Sequence, residues 1–97
     1  MPKRMQDLPE EYASNWRTLA RAIGARVRLR RSVLDLTQEQ LRARLEFEQV
    51  YISRTQFSRI ENGEAMPDSY ELLGLHAILG VSFDWLLRGE DNPGDEA

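Results

Sequence analysis

The 97 residues, 41% hydrophobic and 30% charged, allow one domain with a modest single core and exclude disorder throughout. Without cysteine there is no disulfide framework, thiolate metal site or cysteine nucleophile. The formal net charge of −3 argues against a uniformly basic nucleic-acid binder, but residues 1–59 carry 12 basic and 7 acidic side chains (+5), while residues 60–97 carry one arginine and 9 acids (−8). Phosphates respond to local potential within a Debye length of about 8–10 Å. The asymmetry therefore fits either a basic nucleic-acid-facing half or a merely solvated bipolar surface.

Residues 1–8, MPKRMQDL, are polar and expected to be flexible. Neither they nor any later run contains an apolar stretch fit for a signal peptide or a membrane span, so the cytoplasm is the expected location. Asp7, Pro9, Glu10 and Glu11 signal a helix start with acids at the positive end of the dipole. Tyr12, Trp16, Leu19, Ile23 and Val27 then recur at three- and four-residue spacing, predicting a helical stripe with an interruption near Gly24. Arg17, Arg21, Arg28 and Arg31 fall on the other side. Tyr12 and Trp16 read as cover for the core, or alternatively as an extension of an intersubunit surface.

After a short connection with Leu34 and Leu36 turned inward, two helix starts follow in tandem. Thr37 with Gln40, and Ser53 with Gln56, have the spacing of capping boxes. Leu41 and Leu45 share a face behind the first cap, Phe57 and Ile60 behind the second. Asn62-Gly63 supplies a left-handed stop. The second helix carries Arg54, Thr55, Gln56, Ser58 and Arg59, groups that suit base edges and phosphates, so the pair reads as a helix-turn-helix. Asp68 with Glu71 opens a fourth helix, with Leu72, Leu73, Leu75, His76 and Leu79 as its apolar side and Gly80 as its stop. Ser82 opens a last short helix whose Phe83, Trp85, Leu86 and Leu87 are assigned to the core and a dimer surface. The predicted organisation is a flexible 1–8, a single domain over 9–88 with its motif at 37–63, and an acidic disordered tail at 89–97. No segment alternates with period two, so the expected fold class is all-α, a compact five-helix bundle with an extended N-terminal helical region.

An enzyme is the poorest candidate. The single histidine, His76, lies in a leucine-rich helix without a nucleophile-elbow context and is read as a packed or partly exposed side chain. No metal-ligand spacing is present, and no catalytic residue, metal or cofactor is expected.

The segments IGARVRLRR, TQEQL, ISRTQFSRIENG and LGVSFDWLLRG, in that order with a proline soon after the motif, resemble the helix-turn-helix domains of the phage Cro and repressor type, the xenobiotic-response-element family. The resemblance covers roughly residues 23–90. It implies a five-helix, lambda-repressor-like bundle binding a two-fold operator as a homodimer. Carried onto this sequence, it places Arg54, Thr55 and Arg59 against base edges. It puts Gln38, Ser53, Gln56, Ser58 and Asn62 at phosphates or caps, and implies a structural ion pair between Arg31 and Glu61. The sequence departs from the family at the turn. Thr37 to Gly63 spans 27 residues, about five more than is usual for the motif. The surplus predicts a longer first helix or a longer turn near residues 46–51, facing away from DNA, with Phe47, Val50 or Tyr51 packed over it. The reading is a sequence-specific DNA-binding regulator, expected to act as a repressor on double-stranded DNA. The alternative is a protein-interaction module of the same fold, antitoxin-like or polymerase- or sigma-binding, with DNA secondary.

Overall fold

The structure is a computed structural model that describes residues 9–90. Five helices follow in order: α1 Glu10–Val33, α2 Gln38–Phe47, α3 Arg54–Glu61, α4 Ser69–Leu79 and α5 Phe83–Arg88. No strand occurs among the described residues, so the fold is the all-α bundle predicted. Residues 1–8, including Asp7, and residues 91–97 of the tail assigned to 89–97 lie outside the described residues.

The apolar faces close on one core. Ile23 and Val27 of α1, Leu41 and Leu45 of α2, Phe57 and Ile60 of α3, Leu75 and Leu79 of α4, and Trp85 and Leu86 of α5 all contribute. Full burial of each large side chain is worth about 1.5–3 kcal/mol. Local chemistry sets the boundaries. Thr37 and Asp68 each complete a reciprocal capping box, with Gln40 and Glu71. Gly80 and Gly89 end α4 and α5 in the left-handed conformation that glycine adopts without a Cβ penalty. Arg26 and Arg30 of α1 donate to the carbonyls of Leu86 (3.0 Å) and Leu79 (2.8 Å), placing cations at the negative ends of α5 and α4.

Several expectations are corrected. Helix α1 runs unbroken through Gly24, which is buried where α1 crosses α3. A Cβ there would lie 2.2 Å from the Ile60 carbonyl oxygen, so the glycine permits close approach rather than a bend. Tyr12 is exposed and Trp16 half-buried, and neither belongs to the core. Leu73 faces outward as well. The second capping box is only half formed: Ser53 accepts from the Gln56 backbone N–H at 3.0 Å, while the Gln56 amide turns to Glu71 Oε2 at 3.4 Å. In the motif turn, Glu48, Gln49 and Val50 donate back to the last carbonyls of α2, with Gln49 at φ 62°. The surplus residues thus lengthen the turn. Val50 and Ile52 pack inward, but Phe47 is 89% exposed and Tyr51 projects from the surface. Arg42 Nε donates to the Ile52 carbonyl at 2.9 Å and Tyr70 Oη to that of Gln49, tying the long turn to α2 and α4.

Candidate nucleic-acid interface

Helix α3 is amphipathic by position. Phe57, Ile60 and Glu61 are buried; Arg54, Thr55 and Arg59 are exposed; Gln56 and Ser58 lie between. Ser53 caps its N-terminal end in an extended conformation, so the first turn stands at the surface with Arg54 and Thr55 projecting. Neither side chain has a hydrogen-bond or ion-pair partner among the described residues. Arg59, one turn on, folds back and donates to the Glu64 carbonyl at 3.3 Å.

Beneath this face lies a polar network centred on Glu61, whose side chain is fully buried. Arg31 grips it with both arms of the guanidinium, Nε to Oε2 at 2.7 Å and Nη2 to Oε1 at 2.9 Å, and donates Nη1 to the Leu36 carbonyl at 2.9 Å. The hydrogen bond to Glu61 raises the Arg31 pKa above its ordinary value. Gln38 Nε2 adds a third donor to Glu61 at 2.9 Å, and the Ser58 hydroxyl donates to Gln38 Oε1 at 3.2 Å. Every buried side-chain polar atom among the described residues has a partner, the condition under which a buried ionic group is tolerated.

The residues expected at phosphates therefore divide. Gln38 and Ser58 join α2 to α3, and Gln56 joins α3 to α4; the hydroxyl of Ser58 and the amide of Gln56 point into the bundle rather than outward. Gln38 keeps one amide N–H, and Asn62 keeps its amide donors, because only its Oδ1 is engaged, by Arg28 Nη2 at 2.9 Å. Ser53 remains at the cap. Sequence reasoning missed Arg28, which also stands 3.5 Å from Glu61 Oε1. Its signal was its place one turn before Arg31 on α1.

Two acids of the acidic half, Glu61 and Glu71, are buried, and the exposed Asp68 caps α4. The outward face of α3 presents arginines without a carboxylate. The residues assigned to the dimer and core separate too: Trp85 and Leu86 are core, Leu87 is partly buried against it, and Phe83 is 39% exposed, stacked on His76 at 4.1 Å. His76 Nδ1 lies 2.5 Å from the Val81 carbonyl oxygen, so the ring has a packing role. No helix among the described residues is long and apolar enough to cross a membrane.

A family model described as "Helix-turn-helix domain" matches residues 22–92. The chain is 40% identical over 57 residues to the "HTH-type transcriptional activator BcrR" of Enterococcus faecalis. That match covers 59% of this chain but only 26% of the relative, so the chain spans about a quarter of that protein's length. No solved structure matches. With two capped helices, a buried seam between them and an arginine-bearing outer face, the chain belongs to the helix-turn-helix domain family.

Proposed function

We propose that this protein is a non-enzymatic, sequence-specific DNA-binding transcriptional regulator of the Cro and repressor type. It represses by occupying a pseudo-palindromic operator as a homodimer. The observation that carries this is the outward presentation of Arg54 and Thr55 at the capped end of a recognition helix whose back is sealed into the core. Arg54 and Arg59 suit guanine O6/N7 and Thr55 a thymine methyl or base edge. Arg59 exchanges its weak bond to Glu64 for that contact. Ser53, the remaining N–H of Gln38 and the Asn62 amide take phosphates, which position the helix without specifying sequence. Two such helices reach successive major grooves about 34–36 Å apart.

The test is selection of bound sequences from a random duplex pool, followed by affinity against salt. The reading requires an enriched two-fold motif and an affinity that falls steeply as salt rises. Salt-sensitive binding without enrichment would reject it. A second reading, a protein-interaction module of the same fold, draws support from Phe47 and Tyr51, both exposed on the lengthened turn. Under that reading Phe47→Ser and Tyr51→Ser abolish regulation in the cell while leaving operator affinity unchanged.

A further inference from the structure

Two guanidiniums meet one carboxylate beside the C-terminal end of α3. Arg31 takes Glu61 with both arms, at 2.7 and 2.9 Å, so Arg31 by itself matches that charge. Arg28, a turn earlier on α1, brings Nε to 3.5 Å from Glu61 Oε1, longer than a hydrogen bond. Its hydrogen bond goes instead to a neutral acceptor, Asn62 Oδ1, at 2.9 Å. Among the described residues no other acid pairs with either arginine. The cluster therefore holds one positive charge in excess. That charge stands at the surface, because the Arg28 side chain is 53% exposed while that of Glu61 is fully buried.

The same buried carboxylate orients neutral donors beside it. Gln38 Nε2 gives one N–H to Glu61 Oε1 at 2.9 Å, and Gln38 Oε1 accepts from the Ser58 hydroxyl, so a flipped amide would lose both bonds. Its second N–H has no protein partner among the described residues. Asn62, the exposed C-cap of α3, gives its oxygen to Arg28 and keeps both amide N–H groups. The Nη1 group of Arg28 is unengaged as well. One cation and two amides, drawn from α1, α2 and α3, thus present donors and no free acceptor. Such a set suits an anion with several oxygens.

Position relative to the base-reading groups identifies the anion. Arg54 and Asn62 bracket α3, about 12 Å apart at 1.5 Å per residue. The major groove is about 12 Å wide. With Arg54 at the base edges, the far end of the helix comes to the sugar–phosphate strand that borders the groove.

We propose that Arg28 is a DNA-backbone ligand. With Gln38 and Asn62 it closes on one phosphodiester at the edge of the groove, Arg28 supplying the charge and buried Glu61 holding the donors in place. This rests on the reading of α3 as a DNA-contacting helix, but on neither a particular operator nor a second copy of the chain. Bonds within the protein assemble the site in advance, so little side-chain freedom is lost on binding. Touching no base, it carries no sequence preference.

The test is affinity for two duplexes of unlike sequence, followed against salt, for wild type, Arg28→Gln and Arg28→Lys. Glutamine retains hydrogen-bonding groups for Asn62 without the charge; lysine retains the charge without the fork. Arg28→Gln should bind both duplexes roughly tenfold to hundredfold more weakly. Its slope of log affinity against log salt should be shallower by about 0.9, the share of one neutralised phosphate. Arg28→Lys should keep the wild-type slope, and both variants should unfold at the wild-type temperature. On the duplex recovered by selection, neutral methylphosphonates placed one at a time should reveal a position that weakens wild type and leaves Arg28→Gln unaffected. A wild-type slope in Arg28→Gln overturns the assignment and reduces Arg28 to a support for the end of α3. A loss confined to one duplex overturns it too, by making Arg28 a reader of bases; in both cases the DNA reading stands. Wild type without salt-dependent affinity for any duplex removes the DNA reading and this site with it.

Discussion

At the scale of single residues, charge placement separates specificity from support. Arg54 stands clear of the protein, so Arg54→Ala should leave folding untouched and flatten discrimination at one operator position by about 1–3 kcal/mol. Competition binding against operators varied at each base checks this; equal losses on every sequence would reassign Arg54 to the phosphates. Glu61 is the opposite case. Glu61→Ala strands the Arg31 guanidinium beneath the surface and releases Gln38, so urea unfolding should show a loss of about 3–5 kcal/mol. A near-neutral result would mean that water replaces the carboxylate. The sign of the Arg31 shift is also informative. A raised folded-state pKa stabilises below the ordinary arginine range and is lost only as pH rises through the raised value, so Arg31 contributes no stability transition near neutrality.

Among the elements, the contact of α1 with α3 decides how the recognition helix is aimed. Gly24→Ala would push a methyl into the Ile60 and Glu61 carbonyls. Helix propensity favours alanine by about 0.8–1.0 kcal/mol, but overpacking of backbone typically costs about 1–3 kcal/mol, occasionally more, and an approach of 2.2 Å to a backbone oxygen is too short to accommodate. Reduced melting temperature together with weaker operator binding is the expected result. Thr37→Ala removes the cap of α2 and should cost about 1 kcal/mol. The start of α2 was legible in sequence, because a cap is local chemistry between residues three apart. The role of Gly24 was not legible. A glycine within a helical pattern reads as a break until a second helix is seen lying against it.

At the scale of the molecule, the shared core couples the small last helix to the whole. Trp85 reaches that core from a helix of only six residues. Trp85→Ala should therefore destabilise the entire domain by about 3–5 kcal/mol rather than merely loosen α5, with a single cooperative transition in circular dichroism. Separate melting of α5 would contradict a common core. Overall charge is a poor guide to binding here because Glu61 and Glu71 are buried and the exposed positions of α3 carry arginines and no carboxylate. A log–log plot of affinity against salt should accordingly keep the steep negative slope of a phosphate-binding surface despite the net charge of −3.

The sequence by itself determined the five helices, though with a false break at Gly24, the N-caps Thr37, Ser53, Asp68 and Ser82, the stops of α3 and α4, and the exposed Arg54, Thr55 and Arg59 of α3. Each of these depends on neighbours within about one or two turns, where spacing along the chain is spacing in space. Only the tertiary structure decided which polar side chains turn inward. Gln38, Gln56 and Ser58 have the composition of phosphate ligands, yet their donors meet Glu61, Glu71 and Gln38 across helices distant in sequence. It also decided that Tyr12, Trp16 and Leu19, which share the core's periodicity, run past the end of the core they were expected to cover. Periodicity reports the face of a helix; how far along that face another helix extends is set by packing between segments that no local pattern encodes.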